Sequence, residues 1–139
     1  MEFQFLKKLH SYTTAFASHE LFHELKTLIY ETEDRQVIED KERALRCLFA
    51  GMDRAEEKKW ESARSLIQEA LNLFQKHQDL LREGFCHYFM GELFLTQENW
   101  PDALQSYETS WQMLSDCRHR MAYAVEKKLQ ETRHRMDHI

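Results

Sequence analysis

The chain has 139 residues, of which 42% are hydrophobic and 31% charged, so it is long enough and apolar enough to bury a sizeable core. Its formal net charge of −5 argues against a nucleic-acid-binding protein. With only three Gly and one Pro, the chain has too few turn residues for a fold made of many short strands.

Two helices are predicted at the start of the chain. Residues 2–12 place apolar residues at helical spacing, and Thr13 and Thr14 predict a break after them, because β-branched residues weaken a helix interior. A second helix is predicted for about 18–31, and its apolar stripe includes Leu21, Leu25 and Leu28. Residues 1–35 are therefore predicted to form an N-terminal helical pair.

Five more helices are predicted in the remaining chain. They run roughly over 36–56, 60–77, 80–97, 100–114 and from 116 or 117 to about 137. Thr32 or Asp34 is expected to cap the first of these, because short polar side chains accept hydrogen bonds from free N–H groups at a helix start. Asp79 is expected to cap the third, and Ser115 or Asp116 the fifth. No segment alternates like a strand, so the sequence predicts an all-α fold of about seven helices.

Part of the chain repeats itself at a distance of 40 residues. Gly51, Trp60 and Ala63 recur as Gly91, Trp100 and Ala103. A fixed internal period of this size is typical of stacked copies of one small unit, because a single copy cannot bury its apolar face alone. Stacked repeats form extended surfaces that bind other molecules. The repeat therefore predicts a binding protein rather than an enzyme.

The repeated residues resemble the tetratricopeptide family, whose unit is a helix–turn–helix with a small residue in the first helix. At the family's spacing, the second copy has Gly91, Phe94, Ala103 and Tyr107, and the first has Gly51, Ala63, Ile67 and Ala70. The period is longer than the family's usual length of about 34 residues. The resemblance implies one helical-repeat solenoid, with the N-terminal pair at 1–35, repeats at 36–77 and 78–115, and a capping helix at 116–139.

The resemblance also implies a binding surface, since the first helices of each unit line a concave groove in this family. The implied groove residues are Leu45, Leu48, Met52 and Ala55, then Phe85, Tyr88, Glu92 and Leu95. None of the eight is the Lys, Arg or Asn with which the family's best-known groove holds a chaperone carboxylate. A mostly apolar groove would bind a segment of a partner protein, or it would be filled by the N-terminal helices of the chain itself.

One motif points to a different class of protein, a zinc metallopeptidase. His19-Glu20-Leu21-Phe22-His23 matches H-E-x-x-H, in which two His on one helical face bind zinc and the Glu activates a metal-bound water. However, His19 and His23 fall opposite the apolar stripe of their helix, and no spacing singles out a third ligand. We therefore expect a chance match, with no cofactor, no metal and no catalytic residue, and keep the metallopeptidase as an alternative.

Cysteine spacing and the N-terminal residues bear on location. Cys47, Cys86 and Cys117 lie far apart without a C-x-x-C pair, which predicts buried or half-buried thiols in a reducing compartment. The chain lacks a secretory signal and any apolar run of the ~18 residues that a membrane span requires. A cytoplasmic protein without a membrane partner is expected.

The charge distribution bears on partners. Residues 118–139 contain six Lys or Arg and three Asp or Glu, so the last helix is basic. Such a helix is typical of a solvated capping face, although it could also contact an acidic partner or RNA. A self-associating scaffold is a further alternative, because the ends of a short repeat array can stack on copies of themselves.

Overall fold

The structure, a computed structural model, describes Glu24, Leu25, Ile29 and residues 32–138. Five helices are bounded, namely α1 (Arg35–Glu56), α2 (Trp60–Lys76), α3 (Leu80–Thr96), α4 (Trp100–Asp116) and α5 (Met121–Asp137). No β-strand occurs among these described residues, so the prediction of an all-α fold is confirmed. The two helices predicted at 2–12 and 18–31 lie outside the described residues, apart from Glu24, Leu25 and Ile29.

The chain divides into two compact units, Met1–Gln78 and Asp79–Ile139. In the first unit α1 packs against α2, and in the second α4 packs against both α3 and α5. Each unit has its own core. Buried side chains of the first include Leu48, Ile67, Ala70 and Phe74, and those of the second include Phe89, Tyr107, Leu114 and Val125.

Gly51 and Gly91 make equivalent contacts in the two units. A Cβ added at Gly51 would lie 2.9 Å from Ile67 Cγ1, and a Cβ added at Gly91 would lie 2.7 Å from Tyr107 Cε1. Both distances are shorter than real Cβ contacts, so a residue without a side chain lets the paired helices approach. The 40-residue period of the sequence therefore corresponds to a repeated helix–helix contact.

Left-handed turns end the first four helices at intervals of 20 residues. Lys58, Gln78, Glu98 and Arg118 have φ angles of 61°, 53°, 57° and 54°. After α1, the Lys59 N–H donates to Arg54 O at 2.9 Å and the Lys58 N–H donates to Ala55 O at 3.0 Å, which are the two bonds of a Schellman motif. The same pair of bonds follows α3 and α4. The chain thus makes tight turns with residues that carry side chains, while its glycines lie inside helices.

Most of the described helices begin at the residues that the sequence predicts. The Asp34 side chain accepts hydrogen bonds from two N–H groups of α1, and the Asp79 side chain accepts one from the first turn of α3. Both predicted caps are confirmed, as are the starts of α2 at Trp60 and α4 at Trp100. In α4, the Asn99 side chain accepts from the first turn.

The predicted start of the last helix is wrong. Ser115 and Asp116 are the last two residues of α4, and α5 begins only at Met121. The left-handed turn at Arg118 separates the two helices. In this turn the Arg118 N–H donates to the carbonyl oxygen of Ser115, so Ser115 belongs to the end of α4 and not to the start of α5. The side chain of the N-cap residue, Arg120, makes no capping hydrogen bond, and the Met121 N–H donates instead to His119 Nδ1 at 3.0 Å.

Candidate interaction surfaces

The predicted groove residues lie on α1 and α3, and nearly all of them are buried. Leu45, Leu48, Met52 and Ala55 of the first unit are at most 5% exposed, and Phe85, Tyr88 and Glu92 of the second are at most 2% exposed. Leu95 is half-buried. A side chain with so little exposed surface contacts a partner only if the atoms that cover it are displaced.

The two aromatic residues of the predicted groove, Phe85 and Tyr88, are core residues of the second unit. The Phe85 ring meets the His119 ring edge-on, with centroids 5.3 Å apart. The Tyr88 ring packs against Tyr107, with centroids 6.0 Å apart, and against Phe89 at 5.4 Å. These contacts join α3 to α4 and to the turn before α5, so both residues stabilise the unit in this conformation.

Glu92 is held inside the second unit by side chains from the other two helices. The Tyr107 hydroxyl donates to Glu92 Oε1 at 2.5 Å, and Lys128 Nζ lies 3.7 Å from the same oxygen. A buried carboxylate needs such partners, because it has lost its hydration. The Glu92 carboxylate therefore links α3, α4 and α5.

Sequence reasoning does not single out Tyr107 or Lys128 as partners of Glu92, although the repeat contains a signal. Glu92 and Tyr107 correspond to Met52 and Ile67, 40 residues earlier. One apolar pair is thus replaced by one polar pair at matching positions. A paired change of this kind indicates two side chains that meet, because a single buried polar group would lack a partner.

A second charged cluster joins the start of α1 to the end of α2. Asp40 Oδ2 lies 2.7 Å from His77 Nε2 and accepts a hydrogen bond from Lys76 Nζ at 3.0 Å. Gln36 Nε2 donates to Asp40 Oδ1 at 2.9 Å. The His77 hydrogen bond, followed by that of Lys76, lowers the pKa of Asp40 from 3.8 to about 2. A carboxyl group with so low a pKa is a poor acid or base near pH 7, so the cluster acts as a clamp between helices.

The three thiols differ in exposure. Cys86 is buried and Cys47 half-buried, as expected, but Cys117 is exposed because it forms the C-cap of α4. The expectation of a buried or half-buried thiol is therefore wrong for Cys117. Desolvation, complete at Cys86 and partial at Cys47 and Cys117, is the main cause that raises the pKa of all three thiols above 9.0. None of them has the lowered pKa of a reactive cysteine.

The residues of the zinc motif, His19, Glu20 and His23, lie outside the described residues. Within the part of the chain that the structure describes, no three His, Cys, Asp or Glu side chains are grouped so that they could hold a metal ion. The rings of His134 and His138 lie with centroids 4.2 Å apart, and His138 Nδ1 is 2.7 Å from the His134 carbonyl oxygen. This pair supplies at most two ligands.

A surface groove of about 360 Å³ lies between α4 and α5. It is lined by Glu108, Trp111 and Gln112 from α4 and by Glu126, Leu129, Gln130 and Arg133 from α5. Trp111 is half-buried and Leu129 is buried, so they form the apolar part of the lining. Arg133 Nη2 pairs with Glu108 Oε1 at 2.7 Å and connects the two helices.

Sequence reasoning missed this groove, since the distance between two helices is not visible in a sequence. The available signal is again a departure from the repeat. Trp111 occupies the position of Leu71 in the first copy, and Leu71 is buried whereas Trp111 keeps part of its surface accessible. A partly exposed Trp is a common anchor for a partner, because it offers a large rigid surface.

Comparison of the chain with protein-family models, with curated proteins and with solved structures gave no match. Among the described residues, no helix combines the length and the hydropathy that crossing a bilayer requires.

Proposed function

We propose that this chain is a protein-interaction module without enzymatic activity, built as a helical-repeat solenoid of the tetratricopeptide type, which binds a segment of a partner protein. The observation that carries the proposal is the repeated contact of Gly51 with Ile67 and of Gly91 with Tyr107. It supports a repeated helix pair as the building unit. Proteins built in this way act through extended surfaces rather than through a catalytic pocket.

The groove predicted on α1 and α3 remains the first candidate surface for the partner. Tyr88 is the proposed anchor, because aromatic side chains carry a large share of interface energy. Since Tyr88 is 0% exposed, a partner reaches it only by displacing its cover. Binding at this surface would therefore be coupled to a local rearrangement.

The test is a capture experiment followed by affinity measurements. The full chain is immobilised, proteins are captured from a lysate of the source organism, and the partner identified by mass spectrometry is purified. We expect Tyr88→Ala to weaken its binding at least 5-fold, equivalent to ~1 kcal/mol. Tyr123→Ala is the control, because it truncates the same kind of side chain on a different helix, α5, where Tyr123 is 77% exposed. Unchanged affinity together with a large loss of stability would exclude the α1 and α3 surface, and a lysate without any saturable partner would exclude the function.

The metallopeptidase alternative is supported by the motif of His19, Glu20 and His23. It requires about one zinc ion per chain, with both histidines as ligands. Elemental analysis of protein purified without a tag separates the two functions. The interaction module predicts far less than one zinc per chain and a His23→Ala variant of unaltered stability. Stoichiometric zinc that is lost in this variant would establish the metal site instead.

The self-association alternative predicts that copies of the chain contact each other through apolar surface. Large exposed hydrophobic side chains in the described part of the chain are few, namely Leu80 and Tyr123. Stable interfaces between identical chains are usually larger and more apolar. Sedimentation analysis over a range of protein concentrations tests this alternative, and we expect the mass of a single chain.

A further inference from the structure

We propose that the groove between α4 and α5 binds a basic side chain, Arg or Lys, of the partner segment, with the cation against the ring of Trp111 and with Glu126 as its counter-ion. The inference rests on the proposed function, since it presupposes a partner protein. It concerns a surface separate from the one predicted on α1 and α3.

The second unit already contains a contact between a cationic side chain and a tryptophan ring of α4. The Arg135 guanidinium lies over the Trp100 ring, 5.5 Å from its centroid, and so joins α5 to α4 by a cation–π interaction. Trp111 follows Trp100 by 11 residues, about three helical turns, so both rings lie on nearly the same side of α4. No cationic side chain lies over the Trp111 ring within the described part of the chain. The position that Arg135 fills at Trp100 is thus open at Trp111.

The charge of the groove lining favours a cation. Glu108, Glu126 and Arg133 are its ionisable residues, with a formal net charge of −1. Glu108 is neutralised by Arg133, whereas Glu126 forms no ion pair with any described residue. An incoming cation would pair with Glu126, an anion would be repelled by it, and an apolar side chain would remove hydration from it without compensation.

The size and polarity of the groove suit a long basic side chain. Its volume of about 360 Å³ is at the lower end of the range typical for binding pockets and suits one long side chain with its adjoining backbone. The apolar surface of Trp111 and Leu129 can pack against the methylene groups of Arg or Lys. The amide oxygens of Gln112 and Gln130 can accept hydrogen bonds from the cationic head group.

The test uses short peptides and the full chain labelled with ¹⁵N. The probe is the capped pentapeptide Gly-Gly-Arg-Gly-Gly, and the matched control contains citrulline, which has the shape of Arg without its charge. The indole N–H signals of Trp60, Trp100 and Trp111, assigned with single Trp→Phe variants, report on three places in the chain. We expect a saturable shift of the Trp111 signal with the Arg peptide, and no shift with the citrulline peptide.

Two charge variants keep the test independent of folding defects. Glu126→Gln should weaken the Arg peptide at least 3-fold, because it removes the counter-ion with little change of shape. Glu61→Gln removes the same charge from an exposed position on α2 and should leave the affinity unchanged. Equal affinity in both variants, an equal response to citrulline, or the absence of a saturable shift would each overturn the proposal.

The outcomes also separate this inference from the proposed function. A partner that binds the wild-type chain and the Glu126→Gln variant equally well would remove the groove but leave the interaction module intact. A saturable peptide response in a chain that captures no partner would support the groove and remove the function. If the Trp111 signal shifts with protein concentration in the absence of peptide, a second copy of the chain occupies the groove and the assignment to a partner is wrong.

Discussion

The ring of Tyr107 lies directly against Gly91, so close that a Cβ at position 91 would be 2.7 Å from Cε1 and 2.8 Å from Cδ1. The ring cannot simply turn away, because its hydroxyl donates to Glu92 Oε1 at 2.5 Å. Tyr107 is therefore held both by packing and by a buried hydrogen bond. This arrangement leaves no room for a side chain at Gly91 in the contact between α3 and α4.

Replacing Gly91 by Ala should lower the free energy of unfolding. Alanine favours a helix by about 1 kcal/mol relative to glycine, but overpacking of a well-filled contact costs about 1–3 kcal/mol. We therefore expect a net loss of up to about 2 kcal/mol in urea denaturation. In a Tyr107→Leu background the same Ala should be neutral or stabilising, because the ring is gone. An equal loss in both backgrounds would contradict the close contact.

The helix pairs were predictable because their signals are local and occur twice. A single close contact between helices determines the glycine positions. A single helix start determines the positions of the two tryptophans and of the caps Asp34 and Asp79. The start of α5 was not predictable in the same way. Ser115 and Asp116 are good capping residues by type, but the left-handed turn at Arg118 places them at the end of α4.

The candidate surfaces were less predictable than the helices, because they depend on which side chains meet across helices. Phe85 and Tyr88 lie on α3, which packs against α4, but the sequence does not reveal that both are buried. Likewise, no pattern along the chain indicates that Trp111 and Leu129 line one groove. The sequence shows that Tyr107 and Trp111 depart from the repeat. Which side chains they contact follows only from the distances between helices in the structure.

Glycine at position 98 should stabilise the protein. Glu98 has a φ of 57°, and this left-handed conformation costs a residue with a side chain roughly 1–2 kcal/mol. Glycine avoids that cost but loses more freedom on folding, so we expect Glu98→Gly to add about 0.5–1 kcal/mol to the free energy of unfolding. The control is Gln105→Gly on the exposed side of α4, which should remove about 1 kcal/mol. If both variants lowered the free energy of unfolding, glycine at position 98 would not stabilise the turn.

Asp53 is a buried carboxyl group in the first unit. It is 7% exposed, and neither of its carboxylate oxygens accepts a hydrogen bond from a described residue. The corresponding residue of the second copy is Leu93, which is 1% exposed. Burial is the main cause that raises the pKa of Asp53 above 3.8. The charged form is thus disfavoured in the folded chain.

Asp53→Leu should therefore increase stability at pH 7, by about 1–3 kcal/mol, which is the usual cost of an unsatisfied buried polar group. The pH dependence has a definite sign. Because the folded chain holds the Asp53 proton more tightly than the unfolded chain, the free energy of unfolding falls as pH rises from 3.8 through the raised pKa. Urea denaturation at a series of pH values should show this contribution in the wild type and not in Asp53→Leu. A variant less stable than the wild type at pH 7 would indicate that the carboxylate has a partner.

The clamp at Asp40 predicts the opposite dependence on pH. The folded-state pKa of about 2 lies below the value of 3.8 expected in the unfolded chain, so the clamp stabilises the fold above pH 3.8. This contribution should be lost as the pH falls from 3.8 through about 2. Because the ionised carboxylate is bonded to His77 and Lys76 in the folded state, protonation of Asp40 breaks contacts between α1 and α2.

The Asp40 carboxyl carbon, followed by NMR over pH 1.5–6 (roughly the range in which carboxyl groups titrate), measures this pKa directly. His77→Ala should raise the pKa of Asp40 towards 3.8, because the His77 hydrogen bond is the largest cause of its lowering. Lys76→Ala should also raise the pKa, since Lys76 contributes the second largest cause, a hydrogen bond, together with a Coulombic attraction. His138→Ala, which removes an exposed histidine from the second unit, should leave the pKa unchanged. An Asp40 pKa that stays low in His77→Ala would mean that Lys76 and Gln36 hold the carboxylate without the histidine.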